Sequence, residues 1–108
     1  MKLPTSLLRQ KNSVSKPSSW FLRRVCGESM YPALENGRLI LARHVAEYKL
    51  GEVVVFVHSN MEKIKRIDGI EGDFFYVVGD NPNFSTDSRS FGYISKANVL
   101  GKVVWPKL

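Results

Sequence analysis

The stretch Val53-Val54-Val55-Phe56-Val57 decides how this chain folds. It is β-branched and aromatic throughout, and it is bounded by Gly51 on one side and by Ser59-Asn60 on the other. A run of that length between turn residues predicts a buried strand. No apolar run in the chain is longer, so nothing approaches the roughly 20 residues that a membrane-crossing helix needs. Moving outward, Lys63–Ile67, Phe74–Val78 and Val99–Trp105 read as strands on the C-terminal side. Arg38–Arg43 and Trp20–Gly27 do so on the N-terminal side. Glu28–Gly37 reads as a turn-rich connection, Asp68–Asp73 as a Gly-rich turn, and Asp80–Ser90 as a loop without hydrophobic period. No helical pattern exceeds about two turns. The expectation is an all-β, compact, barrel-like domain.

At 108 residues the chain holds one domain. A hydrophobic content of 44% with 24% charged residues excludes a disordered chain. The net charge is +6. Residues 1–24 carry Lys2, Arg9, Lys11, Lys16, Arg23 and Arg24 and no acid, so the remaining ten basic residues balance all ten acidic ones. The basicity thus belongs to the start of the chain, whereas a nucleic-acid binder would carry it on a face of the fold. Residues 1–19 read as a flexible basic arm, Pro/Ser-rich from Asn12 to Ser19, and residues 20–108 as the domain. Leu3, Leu7 and Leu8 add a weak amphipathic element that suits a membrane tether or a substrate-docking arm. Neither an anchor nor a secretory leader is legible, so a cytoplasmic location is expected. Cys26 is the sole cysteine, and His44 and His58 stand apart from any ligand cluster. No metal and no cofactor are expected.

Three short stretches carry chemistry. Ser29-Met30-Tyr31-Pro32 offers a nucleophile where a strand gives way to a turn. A serine hydroxyl needs a base to take its proton, and the backbone N–H groups at such a turn, chiefly that of Ser29, can hold an oxyanion. The same residues also suit a plain turn. Lys65 offers the base. A lysine serves only when uncharged, which requires burial to lower its pKa. In a strand of period two, Lys65 shares a face with Lys63 and Ile67, consistent with an inward position. The alternative is an exposed edge strand guarded by lysines. Asp87 is a weaker candidate base. The third stretch is Gly79-Asp80-Asn81 followed by Ser85-Thr86-Asp87-Ser88-Arg89. There Ser85 can aim the amine, and Asp87 with Arg89 reads as an ion pair that locks the loop. Met30 and Tyr31 read as the wall of a small substrate pocket.

Ser29-Met30-x-Pro32, Gly51-Glu52-Val53-Val54-Val55-Phe56, Lys65-Arg66, Gly79-Asp80-Asn81-x-x-x-Ser85-x-Asp87-Ser88-Arg89 and Ser90-Phe91-Gly92 together resemble the type I signal peptidase family, across about Val25–Val104. The resemblance implies a Ser/Lys dyad peptidase on an all-β fold. Ser29 takes the nucleophile's place and Lys65 that of the general base. Ser85 takes the place of the residue that orients the lysine, and Asp87 and Arg89 those of the structural pair. Many relatives place a serine two residues before the nucleophile; here that position is Gly27. Small size and the lack of a legible anchor are similar to the proteases that mature nickel-type superoxide dismutase. The partner that this resemblance implies is a precursor protein with a short N-terminal leader, with the nickel superoxide dismutase precursor as the named candidate. Other readings are signal-peptidase-like processing at a membrane surface, the self-cleaving domain of a stress-response repressor, and a non-catalytic barrel that binds nucleic acid. The repressor reading lacks an Ala-Gly cut site ahead of Ser29.

Overall fold

A computed structural model describes residues 19–108. The arm expected at residues 1–19 lies, through residue 18, outside the described residues. Seven strands follow: β1 (Trp20–Arg24), β2 (Leu39–Arg43), β3 (Val53–His58), β4 (Met61–Glu71), β5 (Phe74–Val78), β6 (Ile94–Ser95) and β7 (Val99–Trp105). They form one sheet in the order β1-β2-β7-β3-β4-β5-β6, antiparallel at every pairing.

β3 sits between β7 and β4 and is covered on both faces. Val53 and Val55 point into one apolar cluster with Phe21, Met30, Ile40 and Leu100. Val54 and Phe56 point into a second with Tyr48, Ile67, Phe75 and Val77. A strand buried on both sides has no polar face to alternate with, which is why its sequence is continuously apolar. The first cluster explains the overall curl. It draws on β1, β2, β7 and β3, with Ile64 of β4 packed against it. These five strands wrap a common interior as a barrel does, and the edge of β1 approaches the start of β4 without pairing to it.

Several elements depart from expectation. β1 stops at Arg24, short of Gly27, whose φ of +97° lies outside the strand region. β4 runs on to Glu71, where a turn was expected from Asp68. The strand continues because β5 pairs with it as far as Glu71↔Phe74, and a register shift between Ile67 and Gly69 absorbs Asp68. The loop at 80–90 contains a 3-10 turn at Pro82–Phe84 and a one-turn helix, α1 (Ser88–Phe91), both too short to show a period. β6 is likewise only two residues long and exists through its pairing with β5. Ser59 and Asn60, at φ of 52° and 64°, make the tight β3–β4 turn. Among the described residues no helix is long and apolar enough to cross a membrane.

Candidate active site

The site is assembled from the start of β4, the turn after β1 and the loop after β5. Ser29 lies in the turn that follows β1, where Tyr31 N–H donates to Glu28 O at 3.1 Å and Leu34 N–H to Met30 O at 2.8 Å. Met30 is 1% exposed in the barrel interior and so fixes the turn from below. Lys65 stands opposite Val54 on β3, on the face that also carries Ile67. Its Nζ is 2.8 Å from Ser29 Oγ. These two residues, 36 positions apart in the chain, therefore meet.

Lys65 is 5% exposed. Burial is the main force pushing its pKa below the ordinary lysine value, and Lys63 on the same face adds to it. Asp87 opposes the shift and Arg89 reinforces it. The exposed edge-strand reading of Lys65 thus fails on burial. Its amine is held where the neutral form is favoured and where a serine O–H is the nearest proton.

Asp87 is 1% exposed and gathers the loop around it. Its carboxylate accepts from Gly79 N–H at 2.7 Å, Ser85 Oγ at 2.5 Å, Arg89 N–H at 3.1 Å and Arg89 Nε at 2.9 Å, with a further bond from Arg89 Nη2. Burial alone would raise its pKa. The hydrogen bonds from Arg89, Ser85 and the two backbone amides outweigh burial and hold it well below the usual carboxylate range. Asp87 is therefore an anion that organises the loop and no base. Its oxygens also cap the first turn of α1.

Ser85 requires a correction. The sequence suggests that it aims the lysine, but its hydroxyl is engaged by Asp87. Among the described residues, Lys65 Nζ hydrogen-bonds Ser29 Oγ and no other atom. Tyr31, next to Met30, is 47% exposed and is not among the residues that line the cleft.

Some functional residues carried no assigned role in the sequence. Asn81 grips the nucleophile's turn, its N–H donating to Ser29 O at 2.9 Å and its Nδ2 to Glu28 O at 3.0 Å. Arg66 forms a two-point ion pair with Asp80 at 2.9 and 2.8 Å and reaches Gly51 O at 2.8 Å. Ser88 Oγ accepts the buried N–H of Val77 at 2.8 Å. The signal was present as adjacency: Arg66 follows Lys65, and Asp80-Asn81 follow Gly79. The partners of each lay too far along the chain to be read.

Gly79 is where the loop presses on the dyad. A Cβ placed there would sit 2.7 Å from Ser29 O and would collide with the Ser85 hydroxyl. Neither neighbour can retreat without moving the nucleophile or the Asp87 cluster. Gly79→Ala is expected to lower any turnover that depends on the Ser29–Lys65 pair by about 100-fold, the effect of displacing a reacting group by about 1 Å. Its stability cost should be only about 1–3 kcal/mol. Turnover and urea unfolding measured on the same preparation check this.

Next to the dyad lies a cleft of about 280 Å³. One wall is the end of β1 and its extension through Cys26; the other is Met61–Lys65 of β4. Those β4 residues pair with β3 on one side only, because β5 begins its pairing at Arg66. The cleft is the gap in the barrel, with main-chain groups exposed along β4. Among the described residues, Ser29 N–H has no hydrogen-bond partner. Gly27 N–H is tied to Asn36 Oδ1 at 2.7 Å, and its φ of +97° favours glycine over any residue with a side chain at this position.

The sequence matches the Peptidase S24-like family over residues 2–104. It is 28% identical to signal peptidase I of Leptolyngbya laminosa over 107 residues, covering 95% of this chain and 49% of that protein. It is 33% identical to mitochondrial ATP-independent inner membrane protease subunit 1a of Arabidopsis thaliana over 116 residues, 76% of this chain and 68% of that one. It is 29% identical to human mitochondrial inner membrane protease subunit 1 over 110 residues, 74% and 66% of the two chains. The chain thus spans about half to two thirds of the length of the curated relatives it matches.

Proposed function

Because the chain belongs to the Peptidase S24-like family, we propose that it is a serine endopeptidase that uses a Ser29/Lys65 dyad to remove a short N-terminal leader from a precursor protein. The observation that carries this reading is the 2.8 Å approach of a buried lysine amine to a serine hydroxyl. Neutral Lys65 takes the Ser29 proton as Oγ attacks the scissile carbonyl carbon. The carbonyl oxygen becomes an oxyanion, which the Ser29 N–H faces. Collapse breaks the C–N bond, and the Lys65 ammonium returns its proton to the leaving amine. Water then attacks the acyl-enzyme carbonyl, Lys65 taking its proton; collapse breaks the C–Oγ bond, Lys65 returns the proton to Ser29 Oγ, and the carboxylate product leaves. The substrate lies extended along the unpaired edge of β4, adding a strand where the barrel is open.

The test is co-expression with a candidate precursor, followed by mass measurement of the product's N-terminus. The wild type is expected to shorten the precursor, and Ser29→Ala to leave it intact. Equal shortening by both would overturn the reading. Nickel-type superoxide dismutase precursor is the first candidate to test, on the likeness of the Ser29, Lys65 and Ser85–Arg89 motifs to the proteases that mature it. The location proposed for the reaction is the cytoplasm.

A second reading sets the same reaction at a membrane surface. It is favoured by the outward positions of β1, β2 and β7, where Leu22, Leu39 and Trp105 are 56%, 39% and 52% exposed. Arg43 lies over the Trp20 ring at 5.2 Å and Arg38 over Trp105 at 5.0 Å. Exposed aromatic and leucine side chains beside arginines suit an anionic lipid interface. Co-sedimentation with phosphatidylglycerol vesicles, reduced in a Leu22→Ser/Trp105→Ser variant, is the outcome this reading expects. Absence of the wild type from the vesicle pellet would remove it.

A further inference from the structure

The two walls of the cleft are joined by one ion pair. Arg23 on β1 donates from Nε to Glu62 Oε1 at 2.7 Å and from Nη2 to Glu62 Oε2 at 2.9 Å. The residues are 39 positions apart and both line the cleft. Glu62 is three residues from Lys65 on the strand whose free edge faces the gap, so the pair crosses the cleft about 10 Å from the dyad. A peptide strand filling the gap must pass this point.

The two partners are not equivalent. Arg23 has other supports: Nη1 donates to Leu22 O at 2.9 Å, and the guanidinium lies 5.0 Å from the Phe21 ring centroid. Among the described residues, Glu62 has only Arg23 as a side-chain partner. The guanidinium is fixed on its wall, whereas the carboxylate is free to swing away. The surroundings are basic as well, since Arg24, Lys63 and Lys65 line the same cleft and Glu62 is its single acid.

We propose that Arg23 is a specificity-determining residue that binds an acidic side chain of the substrate three to five residues before the scissile bond, and that Glu62 occupies that position as an internal stand-in until the substrate displaces it. This rests on the peptidase reading above and names the class of leader that the cleft prefers. When a strand enters, the Glu62 carboxylate leaves Arg23 and is hydrated. A substrate Asp or Glu then restores the two-point pairing that a neutral residue would leave broken. A lysine or arginine there meets an unpaired guanidinium and is disfavoured.

The experiment digests a proteome-derived peptide library with wild type, Glu62→Gln and Arg23→Gln, taking Ser29→Ala as the blank, and reads the cut sites by mass spectrometry. In wild-type cuts, Asp and Glu are expected to be enriched about threefold at the third to fifth positions before the bond, the factor that one partly exposed charge pair supplies. Glu62→Gln should strengthen the enrichment by removing the competitor, and Arg23→Gln should abolish it. Raising salt should weaken it in the wild type. Wild-type cut sites without acidic enrichment, or enrichment unchanged in Glu62→Gln, would overturn the proposal whether or not Arg23→Gln folds. Cutting with no charge preference sinks this inference alone. A library left uncut by the wild type sinks the peptidase reading, and this inference with it.

Discussion

Lys65→Met is expected to give a folded protein with at least about 10³-fold lower turnover, the range in which loss of a general base falls, and with a higher melting temperature than the parent at neutral pH. The two effects share one cause. Burial and the nearby Lys63 push the pKa of the Lys65 amine below its ordinary value. Between that lowered pKa and about 10.4, the unfolded chain binds a proton that the folded chain does not, so stability rises with pH across this window. Below the lowered pKa both states carry the proton, and the folded state bears the full cost of a buried charge. Methionine fills similar space without that cost. The parent should therefore gain stability on going from neutral to alkaline pH, and Lys65→Met should not. Turnover in the parent should climb with pH as the amine loses its proton. Paired activity assays and melting curves across pH check all three statements. Lys65→Met with parental turnover, or melting below the parent at neutral pH, would contradict them.

Asp87→Asn is expected to destabilise the domain by about 3–5 kcal/mol, the cost of breaking a buried ionic cluster from one side. Gly79 N–H, the Ser85 hydroxyl and the Arg89 side chain all point at this carboxylate. An asparagine presents one oxygen in place of two and turns an N–H₂ group on donors. The sign of the pH dependence is the same as for Lys65, but the origin differs, because here the fold favours the charged form. The folded pKa of Asp87 lies below its unfolded value of about 3.9, so its contribution is complete above that value and is lost as pH falls through it towards the folded pKa. Urea midpoints for the parent should drop as pH falls below about 4. The Asp87→Asn midpoints, already low, should drop less. Activity should fall too, because Gly79 and Asn81 transmit the loop's position to Ser29. Equal urea midpoints for the two proteins at neutral pH would remove Asp87 from the centre of the loop.

Much of this was legible in the sequence where chemistry and local pattern coincide. The continuous apolar run of β3 announces a buried strand, and Lys65 on the face of Ile67 is compatible with an inward lysine as well as with an exposed edge strand. What escaped was set by pairing at a distance. The extension of β4 through Asp68–Glu71 depends on β5 lying alongside, and the two-residue β6 has no period of its own. Ser85 reads as a partner of the lysine because a hydroxyl can aim an amine without recharging it, and because the family resemblance implies that role. Its hydroxyl points instead to Asp87, two residues away, where the charge on the acceptor gives the stronger bond. The Arg66–Asp80 and Arg23–Glu62 pairs were invisible for the same reason, since a chain with sixteen Lys and Arg and ten Asp and Glu offers many partners and only the fold selects among them.

The most direct measurement follows the Lys65 ε-amine through a pH titration by NMR on lysine-labelled protein, assigned by the signal lost in Lys65→Met and compared with Ser29→Ala. The account predicts a midpoint clearly below the ordinary lysine value of about 10.4, coincident with the rising limb of the turnover profile. A midpoint at or above that value, with the amine charged throughout the active range, would contradict it.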